Sequence, residues 1–131
     1  MLITQITPVK GRFADIKTNL LRWLDTPIAQ LVIVDYACPD ETHKRIWDIP
    51  GGNDPRINVL HVGPEAAGPF YNHARARNIG SQAAKHPLLL FMDADIYVHK
   101  EMFELVDPIW EINSPDIITL FGKETLDQAD S

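Results

Sequence analysis

Two stretches constrain the fold of this chain most. LVIVDY, residues 31–36, and LLLFM, residues 88–92, are apolar without the every-second-residue alternation of a strand that faces water on one side. Such strands must be covered on both faces, and the segments around them supply the covers. Between Phe13 and Leu24 apolar residues recur at Phe13, Ile16, Leu20, Leu21 and Leu24, which predicts a helix that Pro27 stops. PDETHKRIWDI predicts a short helix broken by PGGNDP at 50–55, and YNHARARNIGSQAAKH a longer one, with Gly80 as a cost unless a neighbouring backbone approaches it. LITQIT, 2–7, reads as a first strand leaving the sheet at Pro8, and INVLHV, 57–62, as a third strand. KEMFELVDPIWEI predicts a helix kinked at Pro108, and DIITLF, 116–121, a fifth strand. Trp23, Trp47 and Trp110 fall in these helical segments and are expected in the core.

The alternation of strand and helix predicts an α/β fold: a mostly parallel, Rossmann-like sheet with helices on both faces. At 131 residues one domain is expected, over 1–122, followed by a polar tail over 123–131. Ligands of such sheets bind beyond the carboxyl ends of the strands, which brings Pro8, Asp35 and Asp93 to one edge.

Charge narrows the ligands. With 12 basic against 18 acidic residues the formal charge is -6, which argues against nucleic acid as a partner, so any phosphate site must be local. Cys38, the only cysteine, excludes an intrachain disulfide; the start MLITQITPVKGR lacks a signal-peptide pattern, and no run is long enough to span a bilayer. A cytoplasmic protein is expected, with membrane contact peripheral at most.

The run LLLFM leads into Asp93 and Asp95, separated only by Ala94. In extended backbone both carboxylates share a face, and such a pair either holds a hard cation, magnesium or manganese, or caps the strand exit and faces water. Arg75 and Arg77 precede this strand in HARARNIG, placed to grip phosphate oxygens or to form a solvated helix face; Asn78 beside them can serve a turn or a ligand. Lys10 and Arg12 follow the first strand in TPVKGR, near a helix start whose free amides favour anions. Neither a triphosphatase-type phosphate loop nor G-x-G-x-x-G occurs. The histidines His43, His61, His73, His86 and His99 show no zinc spacing, His99 being the one placed for a modest ligand role, and no serine has nucleophile-elbow surroundings. Tyr36 and Tyr71 flank the expected ligand loops.

Together these pieces resemble the nucleotide-diphospho-sugar transferases of the glycosyltransferase type A fold, both the family-two group and the amino-terminal region of galactosyltransferase-like enzymes. The resemblance spans roughly residues 2–106 and rests on ITPVKGR, on VIVDYACPD with Asp35 and Asp40, and on ARNIG followed by SQAAKHPLLLFMDAD. Tyr36 stands where a second acid is common. The resemblance implies a nucleoside diphosphate sugar donor contacted by Pro8, Lys10, Arg12, Asp35, Arg77, Asn78 and Asp93. It also implies a manganese or magnesium ion on Asp95 and Asp93, the D-x-D pair, and an acceptor that is a glycan, a lipid or a protein. Only 36 residues follow Asp95, and Glu111, Asp116 and Glu124 have no support as a general base. A noncatalytic donor-binding module lacking the acceptor half therefore stands as the alternative, and uncovered surface leaves room for a homodimer.

Overall fold

The computed structural model describes residues 2–108 together with the backbone of 123–124. β1 (Ile3–Val9), α1 (Phe13–Leu24), β2 (Gln30–Tyr36), α2 (Thr42–Arg45), β3 (Ile57–Val62), α3 (Pro64–Ala67), α4 (His73–Gln82) and β4 (Leu88–Phe91) follow in order. The four strands form one parallel sheet ordered β3-β2-β1-β4, so the expected α/β class is the observed one. A short β5 (Ile96–Tyr97) pairs antiparallel with β6 (Lys123–Glu124), at the start of the expected tail. Trp110, Glu111, Asp116, the 116–121 strand and the rest of the tail lie outside the described residues.

The uninterrupted apolar run of β2 is explained by two cores, whereas β4, at the sheet edge, falls short of the expected cover: Leu88, Leu89 and Leu90 are partly buried and Phe91 is exposed. In β2, Leu31 and Ile33 face α1 with Ile16, Leu20 and Trp23, while Val32, Val34 and Tyr36 face α4 with Ala76. Every residue of β1 and β2 is buried, as covering on both faces requires. Gly80 lies where α4 meets the sheet: a Cβ there would sit 2.5 Å from Cγ2 of Ile6 and 3.1 Å from Cγ2 of Val34. The close approach is to sheet side chains and not, as expected, to a neighbouring backbone.

Four expectations are corrected. β1 does not leave the sheet at Pro8 but continues through it to Val9, opposite Asp35. Peptide groups of a parallel strand alternate sides, and Ile6 O accepts Met92 N on the β4 side, so Pro8's missing donor faces that side beyond the end of β4. Residues 100–105 form a 3-10 helix, with Phe103 and Val106 buried three residues apart, the period of that helix. Trp47 is 51% exposed because its neighbour Ile46 takes the core position in a tight 3-10 turn. Leu21 is 57% exposed, rotated off the stripe of Ile16, Leu20 and Trp23.

Candidate functional site

At the carboxyl edge of the sheet, β1 delivers Pro8 and Val9 and then the basic loop with Lys10 and Arg12; β4 delivers Asp93, Ala94 and Asp95. Together with Tyr71 and His73 at the start of α4 they line one cleft of about 380 Å3. Its size suits a small-molecule ligand. Asn72 caps α4 through its side chain, which accepts from Arg75 N at 3.0 Å and so fixes where Tyr71 and His73 project.

The aspartates share the cleft by a different device from the one expected. The chain is not extended there: Ile96 N donates to Asp93 O at 3.2 Å, closing a turn over 93–96, and Ala94 turns inward, 5% exposed. Asp93 remains half exposed, with Oδ1 3.5 Å from His73 Nε2 and 4.0 Å from Arg77 Nη2. Two partly solvated carboxylates offer hard oxygen donors and leave open positions for water or phosphate oxygens, a set that fits magnesium or manganese.

Of the two arginines, Arg77 approaches the aspartates. Its guanidinium lies 5.3 Å over the Phe91 ring, and its Nε is buried without an acceptor. Arg75 instead donates to Ala66 O. Arg12 is paired with Asp15 at 3.3 Å yet stays well exposed. Asn78 is exposed on α4 and does not line the cleft. Burial pushes the Tyr71 hydroxyl up to about 12, and the charge of Asp93 adds to the rise, so Tyr71 presents a neutral hydroxyl. Tyr36 is turned into the core, where its hydroxyl donates to Ala67 O at 2.9 Å.

Asp35 does not line the cleft. It is fully buried, accepting Cys38 N on Oδ1 at 2.8 Å and His43 N on Oδ2 at 2.8 Å, with His43 Nδ1 2.6 Å from that same oxygen. Burial alone would push its carboxyl up; the hydrogen bonds from Cys38 and His43 outweigh that and hold it below the ordinary aspartate range. His61 brings a third potential ligand atom, all three lying within 4.8 Å of one another. The rings of His43 and His61, however, stack at 3.7 Å and 12°, so their in-plane lone pairs run side by side instead of converging, and both Asp35 oxygens are taken. The group locks the loop after β2, where Ala37 and Glu41 adopt positive φ. Asp40 is structural as well: it accepts Phe13 N at 3.1 Å and occupies the start of α1 that was expected to attract anions.

His73, one of the histidines without zinc spacing, nevertheless lines the cleft, and the signal for this is its place in the first turn of the arginine-rich helix. His99 is exposed, edge-on to Tyr97, and outside the cleft.

The sequence pattern described as glycosyl transferase family 2 matches residues 5–121. No curated protein matches. Among solved structures, residues 1–349 of S. aureus TarS in complex with UDP-GlcNAc superpose with a TM-score of 0.67 at 18% identity, over 91% of this chain and 37% of that one. The same protein without ligand gives 0.65 at 20% identity, over 91% and 39%, and its complex with UDP gives 0.64 at 16%, over 91% and 38%. The likeness is one of fold, and the chain spans less than two-fifths of those structures.

Proposed function

The chain belongs to glycosyl transferase family 2, and from that premise we propose that its cleft receives the nucleoside diphosphate part of a sugar donor for glycosyl transfer. One observation carries the reading: Lys10 and Arg12 from β1 and Asp93 and Asp95 from β4 converge on one cleft at the carboxyl edge of the parallel sheet. The basic side chains would draw in and orient the phosphates, Pro8 and Tyr71 would wall the nucleotide, and His73 and Arg77 would fix the carboxylate of Asp93. Asp95 and Asp93 would hold a manganese or magnesium ion, which when bound supplies electrostatic stabilisation for charge on the departing diphosphate. Asp35 would act from behind, by setting the loop beside the cleft. The UDP-GlcNAc and UDP complexes of TarS support a donor of this chemical class.

A second reading is favoured by the acids themselves. Among the described residues the cleft offers no carboxylate besides Asp93 and Asp95, so once they hold the donor none is left to deprotonate an acceptor hydroxyl. In that reading the chain binds donor without transferring it. The acceptor class, a glycan, lipid or protein, and cytoplasmic residence with peripheral membrane contact or homodimerisation belong to the proposal; no helix among the described residues is long and apolar enough to cross a membrane.

Titration calorimetry with uridine and guanosine diphosphates and their sugars, in manganese and in chelator, tests the reading. Binding in manganese, weakened by chelator and by Lys10→Ala, is expected; no binding of any of them would overturn it. Donor hydrolysis or transfer by the purified chain would exclude the purely binding role.

A further inference from the structure

We infer that Asn19 and Trp23 of α1 are positioning residues for the aspartate pair, holding the 93–96 turn from behind through the carbonyls of Ala94 and Ile96. The functional meaning of this hold rests on the donor reading above; the hold itself does not.

Asn19 is the anomaly that leads to it. It occupies the buried stripe of α1 between Ile16 and Trp23 and is fully buried, where a helix packing on a sheet calls for an apolar residue. A buried amide is costly unless bonded. Its Nδ2 donates to Ala94 O at 2.9 Å, and its Oδ1 accepts Arg22 Nη1 at 3.3 Å. One turn on, Trp23, 1% exposed, donates its indole N–H to Ile96 O at 2.9 Å. Between them the Arg22 guanidinium lies 4.4 Å over the Tyr97 ring. Residues at i, i+3 and i+4 of one helix thus touch Ala94, Tyr97 and Ile96.

The turn needs this grip because the four-stranded sheet no longer supplies one and the pairing of β5 with β6 begins only at Ile96. β4 ends at Phe91, and Met92 N to Ile6 O is the last bond to β1 before the aspartates. Ala94 is then pulled inward, which leaves Asp93 and Asp95 on the cleft side. The helix that carries no residue of the cleft therefore sets where both carboxylates sit, as outer-shell partners do for ligands.

Two variants of the full chain separate this role from simple packing. Trp23→Phe keeps a buried aromatic ring and removes the indole donor; Asn19→Leu keeps the volume and removes the amide. Amide hydrogen exchange is read at Ile96, whose N–H closes the turn, with the β2 amides as reference. Exchange at Ile96 alone should rise by roughly 2–10-fold in each variant, the worth of one hydrogen bond. Manganese affinity in the presence of uridine diphosphate should fall by about 10-fold, and neither variant should lower it further in an Asp95→Ala background. Unchanged exchange at Ile96 in both variants overturns the inference, whatever binds. Faster exchange in a protein whose unmodified form binds no manganese nucleotide upholds the hold on the turn and removes the donor reading instead.

Discussion

Replacing Gly80 with alanine should destabilise the protein, against the ordinary rule. In an open helix interior Gly→Ala stabilises by about 1 kcal/mol, because glycine loses more backbone freedom on folding. Here the added Cβ meets Cγ2 of Ile6 at 2.5 Å and Cγ2 of Val34 at 3.1 Å. Both belong to β-branched side chains, fully buried on adjacent strands, and a Cγ2 is attached directly to the stiff Cβ. Neither can swing aside without changing rotamer or moving α4 off the sheet. Overpacking costs about 1–3 kcal/mol, and a contact as close as 2.5 Å to a stiff side chain puts this one in the upper half, about 2–3 kcal/mol, so that after the propensity gain of about 1 kcal/mol a net loss of roughly 1–2 kcal/mol remains. For a domain of this size the melting temperature should fall by roughly 3–8 °C. Denaturant and thermal unfolding of Gly80→Ala measure it, with Ala74→Gly on the exposed face of α4 as the propensity control, expected to lose about 1 kcal/mol. A Gly80→Ala protein as stable as its parent, or more so, would refute the packing argument and leave the glycine of the ARNIG signature without a structural role.

Other predictions follow from the supports around the cleft. Because the folded Asp35 carboxyl titrates below its ordinary value, its contribution is complete above about pH 3.9 and is lost as pH falls through the folded value. Asp35→Asn should therefore be less stable at pH 7 and show a shallower loss between pH 4 and pH 2 in pH-dependent melting; a parallel pair of curves would contradict the assignment. Cys38, whose thiol is pushed up to about 12 by burial first and by Asp35 beside it, should resist alkylation at pH 8 in the native state and react only on unfolding. Arg56 donates to Leu24 O at 2.8 Å, Ile28 O at 3.2 Å and Asp54, so Arg56→Ala should cost about 2–3 kcal/mol in denaturant unfolding, and Arg56→Lys, lacking the planar fork, should recover little of it.

The fold was legible where one-dimensional pattern and three-dimensional environment coincide. The apolar run of β2 announced two covered faces, whereas that of β4 overstated its cover, since β4 lies at the sheet edge and is only partly buried; the spacing from Phe13 gave α1 its limits because that helix packs one stripe against the sheet. What the sequence hid were facts about neighbours. Pro8 stays in β1 because β4 happens to stop at Phe91, which no residue near Pro8 reveals. Asp35 reads as a strand-end ligand, yet its partner is His43, brought back by a loop with two positive-φ residues. The aspartate pair was legible as chemistry, but its placement by a turn depends on Asn19 and Trp23, more than 70 residues earlier. Asn19 was visible all along as a polar residue on an apolar stripe, although its target was not.

Paramagnetic broadening by manganese is the most direct test of where a cation sits. With uridine diphosphate present, trace manganese should broaden the amide resonances of residues 93–96 first, and more strongly than those of His43 and His61. Broadening centred on His43 and His61, with the aspartate turn untouched, would contradict the account at its root.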